Sequence, residues 1–144
     1  MKLERIRYRE LTAKQQEIYN FQKVASLLAD YGFNCIKLDD DWQGADFLAY
    51  HKDGSTTLKV QLKSRATICE KYLGKDLYLA FRAAGCWYLV EHDKLVKIAE
   101  DTTRWLRSRS WIDGGEYNSD RPSKLMLSRL TDHALEPSDS PVSR

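Results

Sequence analysis

The chain has 144 residues, 42% of them hydrophobic and 31% charged, with a formal net charge of +2. That is about one domain's worth of chain, long enough to bury a core without disulfide or metal staples, in a composition ordinary for a soluble globular protein. No apolar run approaches the roughly 18 residues of a membrane span, and so small a net charge permits a nucleic-acid partner only where positive charge gathers on one face.

The charged opening, Met-Lys-Leu-Glu-Arg-Ile-Arg, has no secretory core, so a cytoplasmic location is expected. Residues 12 to 31 read as a helix. Thr12-x-x-Gln15 fits a capping box, and Gly32 stands where a C-terminal glycine stop belongs. At 3.6-residue periodicity Lys14, Ile18, Phe21, Val24, Ala25, Leu28 and Tyr31 share one half of the wheel. Glu17 falls in the middle of that apolar half, an odd place for a carboxylate.

Residues 33–38 read as a strand, 39–44 (Asp-Asp-Asp-Trp-Gln-Gly) as a loop, and 45–50 and 57–63 as two further strands. A looser segment is expected at 66–76. A second hairpin is expected from 77–82 and 86–90 around Ala83-Ala84-Gly85, then a helix over 92–107 with Ile98, Trp105 and Leu106 inward. Residues 111–122 are turn-rich, and a short helix or strand is expected at 123–130. One domain over 1–135 is expected, with a frayed Pro/Ser/Asp tail over 136–144. Cys35, Cys69 and Cys86 are odd in number and far apart, which suits a reducing compartment. With no Cys-x-x-Cys, and with His51, His92 and His133 lacking ligand spacing, there is no zinc pattern.

The hairpin at 45–63 carries the chemistry. Asp53-Gly54 suits a two-residue type I′ turn, which makes the residue numbers of each facing pair sum to 107 and sets Asp46 opposite Gln61. Side chains alternate along a strand, so Leu58, Val60 and Leu62 take one face, and Lys59, Gln61 and Lys63 take the other with Asp46. A carboxylate and an amide carbonyl are hard oxygen ligands suited to Mg²⁺ or Mn²⁺. A lysine beside such an ion positions a water or stabilises charge on a phosphate. These are the parts needed to hydrolyse a phosphodiester.

Helix, strand, Asp-bearing strand, hairpin and then Gln61-Leu62-Lys63 resembles the PD-(D/E)xK nuclease superfamily. The variant is the one with Gln in the acidic position, as in Mrr-like restriction endonucleases and Holliday-junction-resolvase-like cores. The resemblance covers residues 12 to 65. It implies an α/β restriction-endonuclease-like core, with a mixed, mostly antiparallel sheet flanked by helices. It further implies divalent-metal dependence and DNA as substrate. Asp46, Gln61 and the backbone carbonyl of Leu62 would bind metal, Lys63 would orient the attacking water, and Glu17 would complete the shell, with Gln22 as the alternative to Glu17. Ala45 stands where many members have Pro, and Gln61 leaves the site one negative charge short.

Ser64, Arg65, Lys71 and Lys75 suit contacts to a DNA backbone; ordinary surface charge explains them equally well. Trp42 and Tyr72 suit stacking on a base, against simple local packing. Asp39, Asp40 and Asp41 read as a solvated loop, with Asp41 assisting a metal through water as the alternative. Arg104, Arg107 and Arg109, with Trp105 and Trp111 among them, form either a second basic-aromatic surface or a solvated face. The expected function is a Mg²⁺-dependent DNA endonuclease, working as a homodimer where two strands are cut. The rival expectations are a DNA-binding module without catalysis and a regulatory interaction domain.

Overall fold

The computed structural model describes residues 1–136, so the expected tail lies outside the described residues except for Glu136. Helix α1 (Ala13–Ala29) starts as the capping box requires: Thr12 Oγ1 accepts from the Gln15 N–H, and Gln15 Oε1 accepts from the Thr12 N–H. Its inward stripe is rotated from the one expected. Asn20, Val24 and Leu28 are buried, while Ile18 is 39% exposed. The cause lies outside the helix. Tyr8, in a preceding 3₁₀ turn (Tyr8–Glu10), accepts a hydrogen bond from Asn20 Nδ2 at 2.9 Å and covers that side.

Three strands follow as an antiparallel meander: β1 (Phe33–Trp42), β2 (Ala45–His51) and β3 (Thr57–Lys63). Strand β1 runs on through the three aspartates expected to be loop. It ends at a two-residue turn whose Gln43 and Gly44 both have positive φ, 53° and 87°. This is the type I′ signature, and it recurs at Ala84-Gly85 (φ 51° and 76°). At Asp53-Gly54, where it was expected, only Gly54 has positive φ. There Asp53 Oδ1 instead accepts from the Ser55 and Thr56 N–H groups, an Asx turn, and the strands close one pair earlier, His51 N–H to Thr56 O. The register is nevertheless the expected one, Phe47 facing Val60 and Ala49 facing Leu58, because both loops are centred on the same two residues.

The expected loose segment contains β4 (Ala66–Cys69), which leaves the main sheet and pairs antiparallel with β7 (Glu116–Ser119). Strands β5 (Leu77–Ala83) and β6 (Cys86–Glu91) return to it. β5 lies parallel to β3, giving the order β1-β2-β3-β5-β6. Helix α2 (His92–Thr102) ends five residues sooner than expected, before a 3₁₀ turn at Trp105–Arg107 in which the Arg107 N–H donates to the Arg104 carbonyl. The stretch expected to be turn-rich holds α3 (Arg109–Gly114) and β7; α4 (Lys124–Arg129) falls where a short element was expected.

The result is an α/β architecture with helices on both faces of a mostly antiparallel mixed sheet. Val24 and Leu28 of α1 pack with Phe47, Ala49, Val60 and Ala80 on one face. Leu95, Val96, Ile98 and Ala99 of α2 pack with Leu79, Phe81 and Val90 on the other, where Trp105 is also buried. His92 is fully buried: its Nε2 accepts from the Cys69 N–H at 3.0 Å, so the proton sits on Nδ1 toward Asp93. That bond fastens the β3–β5 crossover to the start of α2, and burial holds the imidazole pKa down. The three cysteines are free thiols.

Candidate active site

Strand register puts Asp46 in a gap. Between the pairs Lys37–Phe47 and Trp42–Ala45, β1 takes five residue steps while β2 takes two. The three extra residues form a bulge that swings β1 away opposite Asp46, and such bulges are devices for re-aiming side chains and ending ladders. On the other side, the β2–β3 ladder stops at Phe47–Val60. The next donor, the Leu62 N–H, goes to Asp46 Oδ2 at 2.8 Å. The carboxylate is therefore fixed by backbone and half-buried. Desolvation raises its pKa, with Asp41 and Glu17 adding to the rise; the Leu62 N–H and Lys63 oppose it.

Gln61 is 7% exposed, and its buried Oε1 has no hydrogen-bond partner among the described residues. An orphaned carbonyl oxygen inside a protein costs about 1–3 kcal/mol and asks for a donor or a cation. Alternation from the buried Val60 places Gln61 on Asp46's face of the sheet, next to Leu79 of β5, with Lys63 two residues on.

Glu17 lies on the α1 face of the sheet and reaches the site around the strand ends. It lines one cleft with Leu62, Lys63 and Ser64, and a second with Asp41 and Asp46. It stands on the same stripe as Phe21 and Val24, and its carboxylate is half exposed, 3.6 Å from Lys14 Nζ and 3.8 Å from Lys37 Nζ. Gln22 is exposed and lines neither cleft. Among the described residues no three His, Cys, Asp or Glu side chains converge as a ready-made metal cluster. Asp46 with the Gln61 oxygen nevertheless fits Mg²⁺, which is usually held by one or two carboxylates and completed by water and substrate phosphate.

The remaining candidates divide. Ser64 and Arg65 are exposed at the bend after β3, with Arg65 Nη1 donating to Asn118 Oδ1 at 3.0 Å. Lys71 and Lys75 line a cleft of about 650 Å³ with Asp41, Gln43 and Gly44, and Lys71 Nζ lies 5.2 Å from the Tyr72 ring centroid. Trp42 is 48% exposed beside that cleft's turn, whereas Tyr72, which also lines the cleft, is 5% exposed and packs edge-on against His92. Trp105 is buried and stacks on Tyr117, so it adds nothing to a basic surface. Sequence reasoning passed over the bulge that brings Asp41 to Asp46, because nothing in Asp-Asp-Asp marks it. It also passed over Asn20, whose place depends on Tyr8.

No family model matches the sequence, and no curated protein matches it. Among solved structures the chain is similar to Hjc, a Holliday junction resolvase from the archaeon Archaeoglobus fulgidus. The two are 14% identical over 54% of this chain and 76% of that one, with a TM-score of 0.40. Likeness at this level leaves the site to be judged by its own residues. No helix among the described residues is long and apolar enough to cross a membrane.

Proposed function

We propose that the chain is a divalent-metal-dependent endonuclease that hydrolyses phosphodiester bonds in DNA, built on the Gln-x-Lys form of the PD-(D/E)xK pattern. One observation carries the reading. A backbone-anchored carboxylate, Asp46, sits in the gap of a β-bulge, on the same sheet face as a buried carbonyl without a partner, Gln61, and an ammonium, Lys63.

Asp46, the Gln61 carbonyl and the Leu62 backbone carbonyl would hold Mg²⁺ or Mn²⁺. Such an ion would polarise the phosphoryl oxygen and make an attacking water easier to deprotonate. Lys63 then orients the attacking water and offsets charge building on the phosphate. Glu17, freed from Lys14 and Lys37, takes the water's proton or holds it in line. Ser64, Arg65, Lys71 and Lys75 would neutralise the strand on either side, with exposed Trp42 as a stacking surface. Cutting two strands needs two such sites, and a homodimer supplies them.

The test is nicking of supercoiled plasmid. Activity is expected with Mg²⁺ or Mn²⁺ and none in EDTA; Ca²⁺ is expected to support binding with little cleavage. Equal nicking with and without chelator would sink the metal mechanism. The neutral Gln61 and the ion-paired Glu17 favour a second reading, a DNA-binding module without catalysis. Metal-independent binding with no nicking in any metal would select it.

A further inference from the structure

Beside the candidate catalytic residues lies a further hollow, of about 360 Å³, lined by Tyr8, Tyr19, Asn20, Ser64, Arg82 and Trp87. The catalytic scheme uses none of its walls except Ser64. Its size is that of a small-ligand site, and its chemistry is specific. Tyr8 and Tyr19 meet edge to face, with centroids 5.4 Å apart, and remain 39% and 36% exposed. Trp87 is 2% exposed, and its indole Nε1–H has no partner among the described residues. Its backbone, by contrast, is satisfied: the N–H donates to Glu136 Oε2 and the carbonyl accepts from the Leu135 N–H. Buried indole N–H groups normally find an acceptor. The rim is cationic. Arg82 is exposed directly across the ladder from Trp87, and Lys23 Nζ lies 5.4 Å from the Tyr19 ring centroid. The hollow is also continuous with the active-site cleft, because Tyr8, Asn20 and Ser64 line both, and that cleft adds Glu17 and Lys63.

We propose that this hollow is a nucleobase subsite: it holds one unstacked base of the DNA strand whose neighbouring phosphate lies at Lys63, an inference that rests on the nuclease reading above. A base offers a π face to the exposed side of the tyrosine pair. Its edge carries carbonyl oxygens and ring nitrogens that accept from the Trp87 N–H and the Arg82 guanidinium. A base inside an intact duplex is stacked and paired, and entering the hollow means extruding it at a cost. The site therefore selects DNA that already carries an unpaired nucleotide.

The experiment measures binding in Ca²⁺ to three probes: a paired duplex, the same duplex with a one-nucleotide bulge, and the bulge with an abasic linker in place of the unpaired base. The bulged probe is expected to bind roughly tenfold tighter than the paired one, within the range of one base stacked on aromatic side chains. The abasic probe is expected to fall back to the paired value. Trp87→Phe, which keeps the ring and removes the N–H, and Arg82→Ala, at an exposed position, are each expected to shrink the tenfold preference by about threefold or more. Paired-duplex affinity should stay within about twofold. Arg82→Ala keeps the test informative should Trp87→Phe disturb the core. Equal affinity for all three probes, in a protein that still nicks plasmid with Mg²⁺, would remove the subsite and leave the nuclease reading standing. A preference unchanged in both variants would likewise remove it. A protein that neither binds nor nicks any of the DNAs would remove the nuclease reading and this inference together.

Discussion

At Asp46 the carboxylate exchanges water for one backbone N–H and the company of Asp41 and Glu17. Its folded pKa is raised, so the native state holds the proton more tightly than the unfolded chain does. Ionisation therefore favours unfolding: the penalty is fully present above the folded pKa and is gone below the unfolded value near about 3.9. Asp46→Asn still offers an oxygen to the Leu62 N–H and removes that penalty. It is expected to raise the melting temperature at pH 7, with the gain disappearing as the pH falls below about 4, while plasmid nicking is lost. Mn²⁺ should raise the melting temperature of the wild type and not of the variant; calorimetry at two pH values with and without metal reads all three effects. Lys63 tests the chemistry from the other side. Lys63→Ala leaves the apolar face of β3 untouched, so the variant should fold by circular dichroism while nicking falls about 10²- to 10⁴-fold. Gln61→Glu restores the commoner acidic ligand and should keep metal binding. A folded Lys63→Ala protein nicking at the wild-type rate would show that this hairpin is not the active site.

The hairpin turn also separates what the sequence discloses from what it hides. Asp53-Gly54 marked the right place and therefore the right register, yet the turn closes through the Asp53 side chain rather than through two positive-φ residues. Donors from Ser55 and Thr56 hold the Asp53 carboxyl far below its ordinary pKa. Its stabilisation is thus present above the unfolded pKa and lost as the pH falls through and below about 4. Asp53→Ala is expected to lower the melting temperature at pH 7, with the gap to wild type narrowing progressively below about pH 4; a gap as wide at pH 2 as at pH 7 would refute the Asx-turn account. Local signals of this kind were legible: the Thr12–Gln15 box, the period-2 runs of β2, β3, β5 and β6, and the inward Trp105. Signals that depend on distant partners were not. Ala66–Cys69 reads as loose because its pairing partner, β7, lies some 50 residues away. The helix α1 stripe was misjudged because Tyr8 buries Asn20 from outside the helix. The type I′ turn at Gln43-Gly44 was missed because Gln is not a residue that announces positive φ.

Across the whole molecule the charges nearly cancel, so any grip on DNA must come from a few local cations rather than from the overall field. Arg65, Lys71 and Lys75 with Lys63 amount to three or four phosphate contacts, so log K should fall with log salt at a slope of about −3. Lys75→Ala should flatten that slope by about one while leaving any preference among DNA probes intact; a slope near zero would mean that these cations do not touch the backbone. The topology bears on timing as well. Strands β1, β2 and β3 are joined by short turns, and so are β5 and β6, but β3 and β5 meet in parallel only after the chain has crossed over through β4. Joining those two halves is the slow, non-local part of folding, because a long loop must close before its contacts repay the lost entropy. The Asp46–Leu62 hydrogen bond spans 16 residues and belongs wholly to the first half. Asp46, Gln61 and Lys63 all lie in that first half, so the meander is expected to set them against one another before β5 docks beside Gln61.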